Sequence, residues 1–331
     1  MIILRIQRSN PVSFMEAPTY QKLPLRHVCV LLLIACLGTA VYSQPFQTIL
    51  SYRMHYQLPS AYTDSDNAPG DKFQLLQQTV DLTFPLSFNT THGDAYIISG
   101  VFYNHFLFDA VGGDVDIPAE RFHRMTFKAG VSYPWNGRHR TTAVFLPTWA
   151  TQDVIFGPDG FQAGFLGVHH IKFSDRFTLR LGLYYNREFY GNFFMPLAGV
   201  DWKLNNDWYV FGLLPGTANV YKRVNDWFAF SFSERAPNGS LLFSDGSGDL
   251  VGVGRGIFAL FMFDLHFTPF TFDLMGNDSD LTFSLSFGHS VFRKYLAYDA
   301  SDNEIGRGVF YESKDGPYVK FTTAMRLWPD N

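Results

Sequence analysis

Residues 79–88 read TVDLTFPLSF, and this alternation of polar and apolar side chains recurs along most of the chain. Every second residue from Val80 to Phe88 is apolar. Successive side chains of a β-strand point to opposite faces of the sheet, so the stretch has one apolar face and one polar face. No segment of comparable length has a convincing helical period. The sequence therefore predicts an all-β protein.

Many of the alternating segments are 10 to 16 residues long. Strands of soluble domains are typically about five or six residues long, whereas a tilted strand that crosses a bilayer needs about 9–11. The predicted strands are 48–58, 73–88, 95–108, 121–133, 139–150, 161–172, 176–188, 195–204, 207–214, 217–224, 227–235, 255–267, 281–296 and 317–328. Connections after odd-numbered strands are mostly long and those after even-numbered strands mostly short, as in outer-membrane barrels.

These features predict a transmembrane, antiparallel, up-and-down β-barrel of about fourteen strands. Twelve strands result if the weak ninth and tenth segments are merged. Hydrocarbon cannot satisfy the amides of a sheet edge, so a sheet that spans a membrane must close. Tyr and Trp near strand ends suit two interfacial girdles; they are Tyr133, Trp135, Trp149, Trp202, Trp208, Trp227 and Trp328. A soluble β-sandwich would explain the alternation but not the strand length.

The composition supports this class. The 331 residues include 26 Lys and Arg against 30 Asp and Glu, a formal charge of −4, which argues against a nucleic-acid partner. The mean hydropathy of −0.03 excludes a polytopic helical membrane protein. The aromatic fraction of 18% is more than an ordinary soluble enzyme needs.

Residues 22–43 read KLPLRHVCVLLLIACLGTAVYS, with a basic stretch before a short apolar run and small residues at the end. This order is typical of a secretory signal peptide. We predict cleavage after Ser43, with 1–43 removed and 44–331 forming the barrel in the outer membrane of a Gram-negative cell. Met15 is an alternative start. A buried N-terminal helix and a lipobox that ends at Cys36 are alternatives for this segment.

Residues 182–230 carry Gly-x-x-Tyr, Phe-Tyr-Gly, Pro-x-x-Gly-x-x-Trp, Asn-Asp-Trp and Leu-Pro landmarks. In these the chain resembles a family of outer-membrane β-barrels of unknown function from Bacteroidetes-type bacteria. The resemblance implies location and architecture. It implies no reaction and no functional residues.

The polar faces of the predicted strands carry mostly basic charge, so we expect a lumen that attracts anions. The candidate lumen-lining residues are Arg53, Asp81, Arg124, Lys128, Arg180, Asp264, Lys320 and Arg326. A passive pore for small solutes is the favoured function, with membrane lipid and small anionic solutes as partners. The alternative is a structural or ligand-binding barrel with a closed lumen, in which the predicted loops 236–254 and 297–316 fold in as a partial plug.

An enzyme is the third hypothesis, and no Gly-x-Ser-x-Gly elbow supports it. His169 and His170 are adjacent on a strand and point to opposite faces, which does not suit one metal ion. The acidic segments 64–67, 114–116 and 299–304 are rich in oxygen donors but lack the EF-hand pattern. We therefore predict no catalytic, cofactor-binding or metal-binding residues.

Overall fold

The computed structural model describes residues 47–62, 72–112, 120–152, 160–236, 238–244, 250–274, 277–299, 304–305 and 314–327. These residues form β1 Gln47–Ala61, β2 Lys72–Thr90, β3 Gly93–Val111, β4 Glu120–Pro134, β5 His139–Thr151, β6 Phe161–Ser174, β7 Phe177–Glu188, β8 Gly191–Lys203, β9 Trp208–Leu214, β10 Thr217–Arg223, β11 Phe228–Arg235, β12 Asn238–Ser244, β13 Leu250–Leu274, β14 Asn277–Asp299, β15 Glu304–Ile305 and β16 Pro317–Leu327. None of the described residues belongs to a helix that is long and apolar enough to span a membrane.

Fourteen of these strands close into one antiparallel barrel. β1 to β11 pair in sequence order, β11 pairs with β13, and the ring closes through β14 and β16 back to β1. The registers β13–β14 and β1–β16 complete the ladder. The predictions of an all-β fold and of fourteen strands are confirmed. The two remaining strands, β12 and β15, each pair with the ring but do not belong to it.

The barrel has two distinct ends. We call the end that holds the first residue of β1 and the last of β16 the turn end; Gln47 pairs there with Leu327. Its connections are short, such as residues 91–92 between β2 and β3. We call the other end the loop end, since it holds the longer connections, including those between β3 and β4 and between β5 and β6.

The sequence predicted a long connection at 268–280, between the strands 255–267 and 281–296, and this prediction was wrong. β13 and β14 continue through it and pair as far as Leu274 and Asn277. Ladder hydrogen bonds keep the two strands extended beyond their neighbours although the alternation of the sequence is weak there. The predicted loop 236–254 likewise contains β12 and the first residues of β13.

The barrel wall is lowest at β9 and β10, which have seven residues each. Their hairpin turns at Pro215 and Gly216. β11 runs past this low edge, where the amide of Ala236 donates to the carbonyl of Gly216 at 3.2 Å. The chain then continues directly into β12, which is therefore free of a neighbouring strand on that side of the ring.

The outer face of the barrel is apolar along its middle and aromatic at both ends. Phe145 is 47% exposed and Leu181 46% exposed. Exposed aromatic side chains at the turn end are Trp135, Phe173, Trp202 and Trp227, and those at the loop end include Phe161 and Phe194. Trp149 packs on Phe161 with the ring centroids 4.9 Å apart. Trp328 of the predicted girdles lies outside the described residues.

Residues 1–46 lie outside the described residues. The signal peptide, its cleavage after Ser43, the alternative start at Met15 and the lipidation of Cys36 therefore stay predictions.

Candidate functional site

Side-chain burial separates the two faces of the wall. In β1, Ser51 and Gln57 are buried whereas Leu50, Tyr52 and Met54 are exposed. The same parity, followed through the pairings around the ring, places all eight candidate residues on the inner face. They are Arg53, Asp81, Arg124, Lys128, Arg180, Asp264, Lys320 and Arg326. Most of these residues form ion pairs with other side chains of the lumen.

Asp264 is the centre of a network built into the wall. Its Oδ1 accepts from Lys320 Nζ at 2.9 Å and from the hydroxyl of Ser286. Its Oδ2 accepts from Ser231 Oγ at 3.0 Å and Ser233 Oγ at 2.6 Å. Asp264, Ser286 and Lys320 lie side by side because the registers of β13, β14 and β16 align them. The carboxylate is only 3% exposed.

Three further ion pairs line the lumen. Asp81 binds Lys128 Nζ at 2.5 Å and Arg53 Nη2 at 3.4 Å, so one carboxylate serves two cations. Arg180 Nη2 binds Asp201 Oδ2 at 2.6 Å. Lys128 lies on β4 and Asp81 on β2, with β3 between them, so this contact depends on the curvature of the closed wall.

Glu188, at the end of β7, is the polar centre that the sequence analysis missed. Its Oε1 accepts from Asn186 Nδ2 at 2.7 Å and lies 3.8 Å from Arg124 Nη2. Its Oε2 accepts from the backbone amide of Ser240 at 3.1 Å and from Ser240 Oγ at 2.6 Å. Glu188 is the last residue of the predicted strand 176–188 and has the same parity as Arg180, which would have placed it in the lumen.

The Ser240 contacts show that β12 crosses the lumen. β12 pairs with β13, but Ser240 Oγ also lies 3.0 Å from Gln162 Nε2 on β6 and binds Glu188 on β7. In the ring order, β6 and β7 lie across the barrel from β13. Ser240 is fully buried.

An apolar cluster holds the same segment. We call it the loop-end cluster; its buried members are Tyr62, Phe73, Leu75, Phe108, Phe122, Ala150 and Leu241. Leu241 comes from β12, whereas the others come from the inner faces of β2 to β5 and from the residue after β1. The predicted loop 236–254 thus contributes a segment that folds into the barrel. Of the second predicted loop, 297–316, residues 300–303 and 306–313 lie outside the described residues.

A polar cavity of about 590 Å³ lies inside the barrel. Five cationic side chains and two carboxylates line it; they are Arg53, Arg180, Arg235, Lys320 and Arg326 with Asp81 and Asp264. Neutral donors, among them Ser51, Asn219 and Thr322, fill the spaces between the charges. The cavity is therefore basic although the chain as a whole is acidic.

Ser231, His266 and Asp264 meet in the cavity wall, but not in the order of a catalytic triad. Ser231 Oγ is 2.9 Å from His266 Nε2, while His266 Nδ1 faces Ser284 Oγ at 2.7 Å. A triad requires a carboxylate on that second nitrogen. Asp264 instead accepts from Ser231 itself. This geometry gives no support to the enzyme hypothesis.

The histidine pair follows the alternation. His169 is 3.1 Å from His139, and His170 lies 3.4 Å from Thr142 on the opposite face. Within the described part of the chain, no group of three or more His, Cys, Asp or Glu side chains is placed to hold a metal ion. The acidic segments 64–67 and 114–116, and residues 300–303 of the third, lie outside it.

No protein-family model and no curated protein sequence matches the chain. The resemblance to an uncharacterised Bacteroidetes-type family therefore stays a prediction.

Solved structures that are similar to the chain are membrane barrels of several kinds. NanC porin aligns with a TM-score of 0.30 and 8% identity, over 83% of this chain and 98% of that one. The TodX monoaromatic hydrocarbon channel, as a deltaS2 mutant, aligns with a TM-score of 0.37 and 10% identity, over 87% and 91%. OccAB4 of Acinetobacter baumannii aligns with a TM-score of 0.26 and 8% identity, over 85% and 99%.

Proposed function

We propose that the protein is an outer-membrane β-barrel that conducts small anionic solutes and is closed at its loop end by β12. The observation that carries the proposal is the basic cavity inside the barrel. Five cations against two carboxylates in a space of about 590 Å³ attract anions and disfavour cations.

The outer face supports a membrane location. Exposed apolar side chains cover the middle of the wall, and aromatic side chains ring its two ends. A soluble protein rarely exposes apolar surface on this scale. In a membrane the same surface faces lipid, and the closed ring leaves no strand edge unsatisfied.

The contacts of β12 support a removable closure. The segment is joined to the opposite wall by the hydrogen bonds of Ser240 and by the packing of Leu241, and these contacts are non-covalent. Each such contact contributes about 1 to a few kcal/mol. A rearrangement of a few residues would therefore open the loop end without breaking the ring.

The test is single-channel recording in planar bilayers. The full chain is expressed in a Gram-negative host, purified from its membranes and reconstituted. Leu241→Asp places a charge in the loop-end cluster and is expected to raise conductance severalfold, while Leu241→Met keeps the apolar volume and serves as the control. Lys128→Glu is expected to shift the reversal potential in a salt gradient away from anion preference.

Absence of current from both the wild type and Leu241→Asp, in protein shown to be folded by its heat-dependent gel mobility, would contradict the channel. It would favour the second candidate, a solute-binding barrel with a permanently closed lumen. The specific observation behind that candidate is the complete burial of Ser240 where β12 contacts the opposite wall.

A further inference from the structure

We infer that the cavity contains a binding site for a small oxyanion, a phosphate or carboxylate group, centred on Arg235. The site deepens the proposed function, on which its biological role rests, because it names the group that the lumen would hold. The chemistry of the site depends on the side chains around Arg235 and does not require that the barrel conducts.

Most cations of the cavity have partners within the chain. Lys320 is paired with Asp264 and Arg180 with Asp201. Arg326 interacts electrostatically with Asp280 and hydrogen-bonds with Tyr221. Arg235 differs from these three, because no carboxylate among the described residues lies within ion-pair distance of its guanidinium.

The carboxylate whose charge acts most strongly on Arg235 does not form an ion pair with it. Asp264 acts on Arg235 through its charge, but both of its oxygens are already occupied: Oδ1 by Lys320 and Ser286, and Oδ2 by Ser231 and Ser233. Asp81 is bound to other cations, its Oδ1 to Lys128 and its Oδ2 to Arg53.

Glu234 is adjacent in sequence but does not fill the role. Alternation along β11 puts Ser231, Ser233 and Arg235 on the inner face and Glu234 on the outer one. Glu234 acts on Arg235 through its charge but forms no ion pair with it, and one oxygen of Glu234 is buried without a hydrogen-bond partner among the described residues. The Nε of Arg235 is also buried without a partner among the described residues.

The surroundings add cations. Arg235 is close enough to Arg53 and Lys320 for their charges to repel one another. Since Asp81 serves both Arg53 and Lys128, this part of the cavity carries positive charge that the chain does not neutralise. Arg235 is half-buried, and a partly desolvated cation without a counter-ion is costly; a bound anion lowers that cost.

The geometry suits an oxyanion better than a halide. A guanidinium offers a planar fork of N–H donors that matches two oxygens of a phosphate or carboxylate. Hydroxyl and amide donors of the cavity, such as Ser51, Asn219 and Thr322, are available for the remaining oxygens. A chloride ion would be attracted by the positive charge but would not form the bidentate pair of hydrogen bonds.

The experiment is calorimetric titration of inorganic phosphate into the purified full chain in detergent, at constant ionic strength set with chloride. Wild type is expected to bind one phosphate per chain. Arg235→Gln is expected to weaken binding about tenfold or more, because a charge-assisted pair is lost. Arg235→Lys keeps the charge but loses the planar pair of donors, and its phosphate affinity should lie between those of the wild type and Arg235→Gln.

Arg187→Gln is the matched control, because Arg187 is exposed on the outer face of β7. It should bind as the wild type does. Equal affinity in wild type and Arg235→Gln, or no phosphate binding by folded wild type, would overturn the site. Calorimetric titration does not depend on conductance. A barrel that binds phosphate but carries no current would contradict the channel function and support the binding site.

Discussion

Asp264 and Glu188 are two buried carboxylates in one lumen, 3% and 4% exposed, and each accepts several hydrogen bonds. The partners of Asp264 lie on β11, β14 and β16, next to its own strand or one strand beyond. Those of Glu188 include Ser240 on β12, which reaches it from across the barrel. The same chemistry therefore does two things: around Asp264 it holds the wall together, and around Glu188 it holds a segment over the lumen.

Removing the wall carboxylate should have the largest effect. Asp264→Ala leaves Lys320 as a buried cation without its partner, and such a loss costs about 3–5 kcal/mol. We expect denaturant unfolding in lipid vesicles to show this loss of stability.

The control for this prediction is the double variant Asp264→Leu with Lys320→Met, which removes both charges. It should recover most of the stability, since an apolar pair can replace a buried ion pair. Equal destabilisation in the single and double variants would mean that the ion pair is not the source of the effect.

Glu188→Ala should act on closure rather than on the wall. Ser240 would lose its acceptor, and hydrogen bonds to a charged group contribute about 1.5–3 kcal/mol. If β12 is the closure, open probability should rise about tenfold to a hundredfold in single-channel records.

Thermal unfolding should distinguish the roles of Glu188 and Asp264. The Glu188→Ala barrel should unfold closer to the wild type than Asp264→Ala does. If Glu188→Ala destabilises the barrel as much as Asp264→Ala and leaves the current unchanged, Glu188 belongs to the wall and the comparison fails.

Ser240→Ala should give the smallest effect. It removes the hydroxyl contacts to Glu188 and Gln162 but keeps the backbone amide that also binds Glu188. The loss of about 1 kcal/mol corresponds to an increase of about fivefold in open probability. Recordings of Leu242→Ala, a β12 neighbour that lies outside the loop-end cluster, would show whether any truncation of β12 has this effect.

The sequence by itself determined the strands and the faces they present. Long period-two alternation, as in 79–88, is a local property, because each side chain's face follows from its own position in the strand. It therefore predicted fourteen strands and placed residues such as Arg53 and Lys320 on the polar side. The same rule, applied to the last residues of the predicted strands 176–188 and 227–235, reaches Glu188 and Arg235.

Only the tertiary structure decided which charges meet and what crosses the lumen. Lys128 reaches Asp81 over an intervening strand, and Ser240 reaches Glu188 across the ring, because closure bends the wall around a common interior. β12 reads NGSLLFS, in which the adjacent apolar residues Leu241 and Leu242 break a period of two. Its place follows from the low edge at β9 and β10 and from the apolar cluster that receives Leu241, and both are properties of the closed barrel.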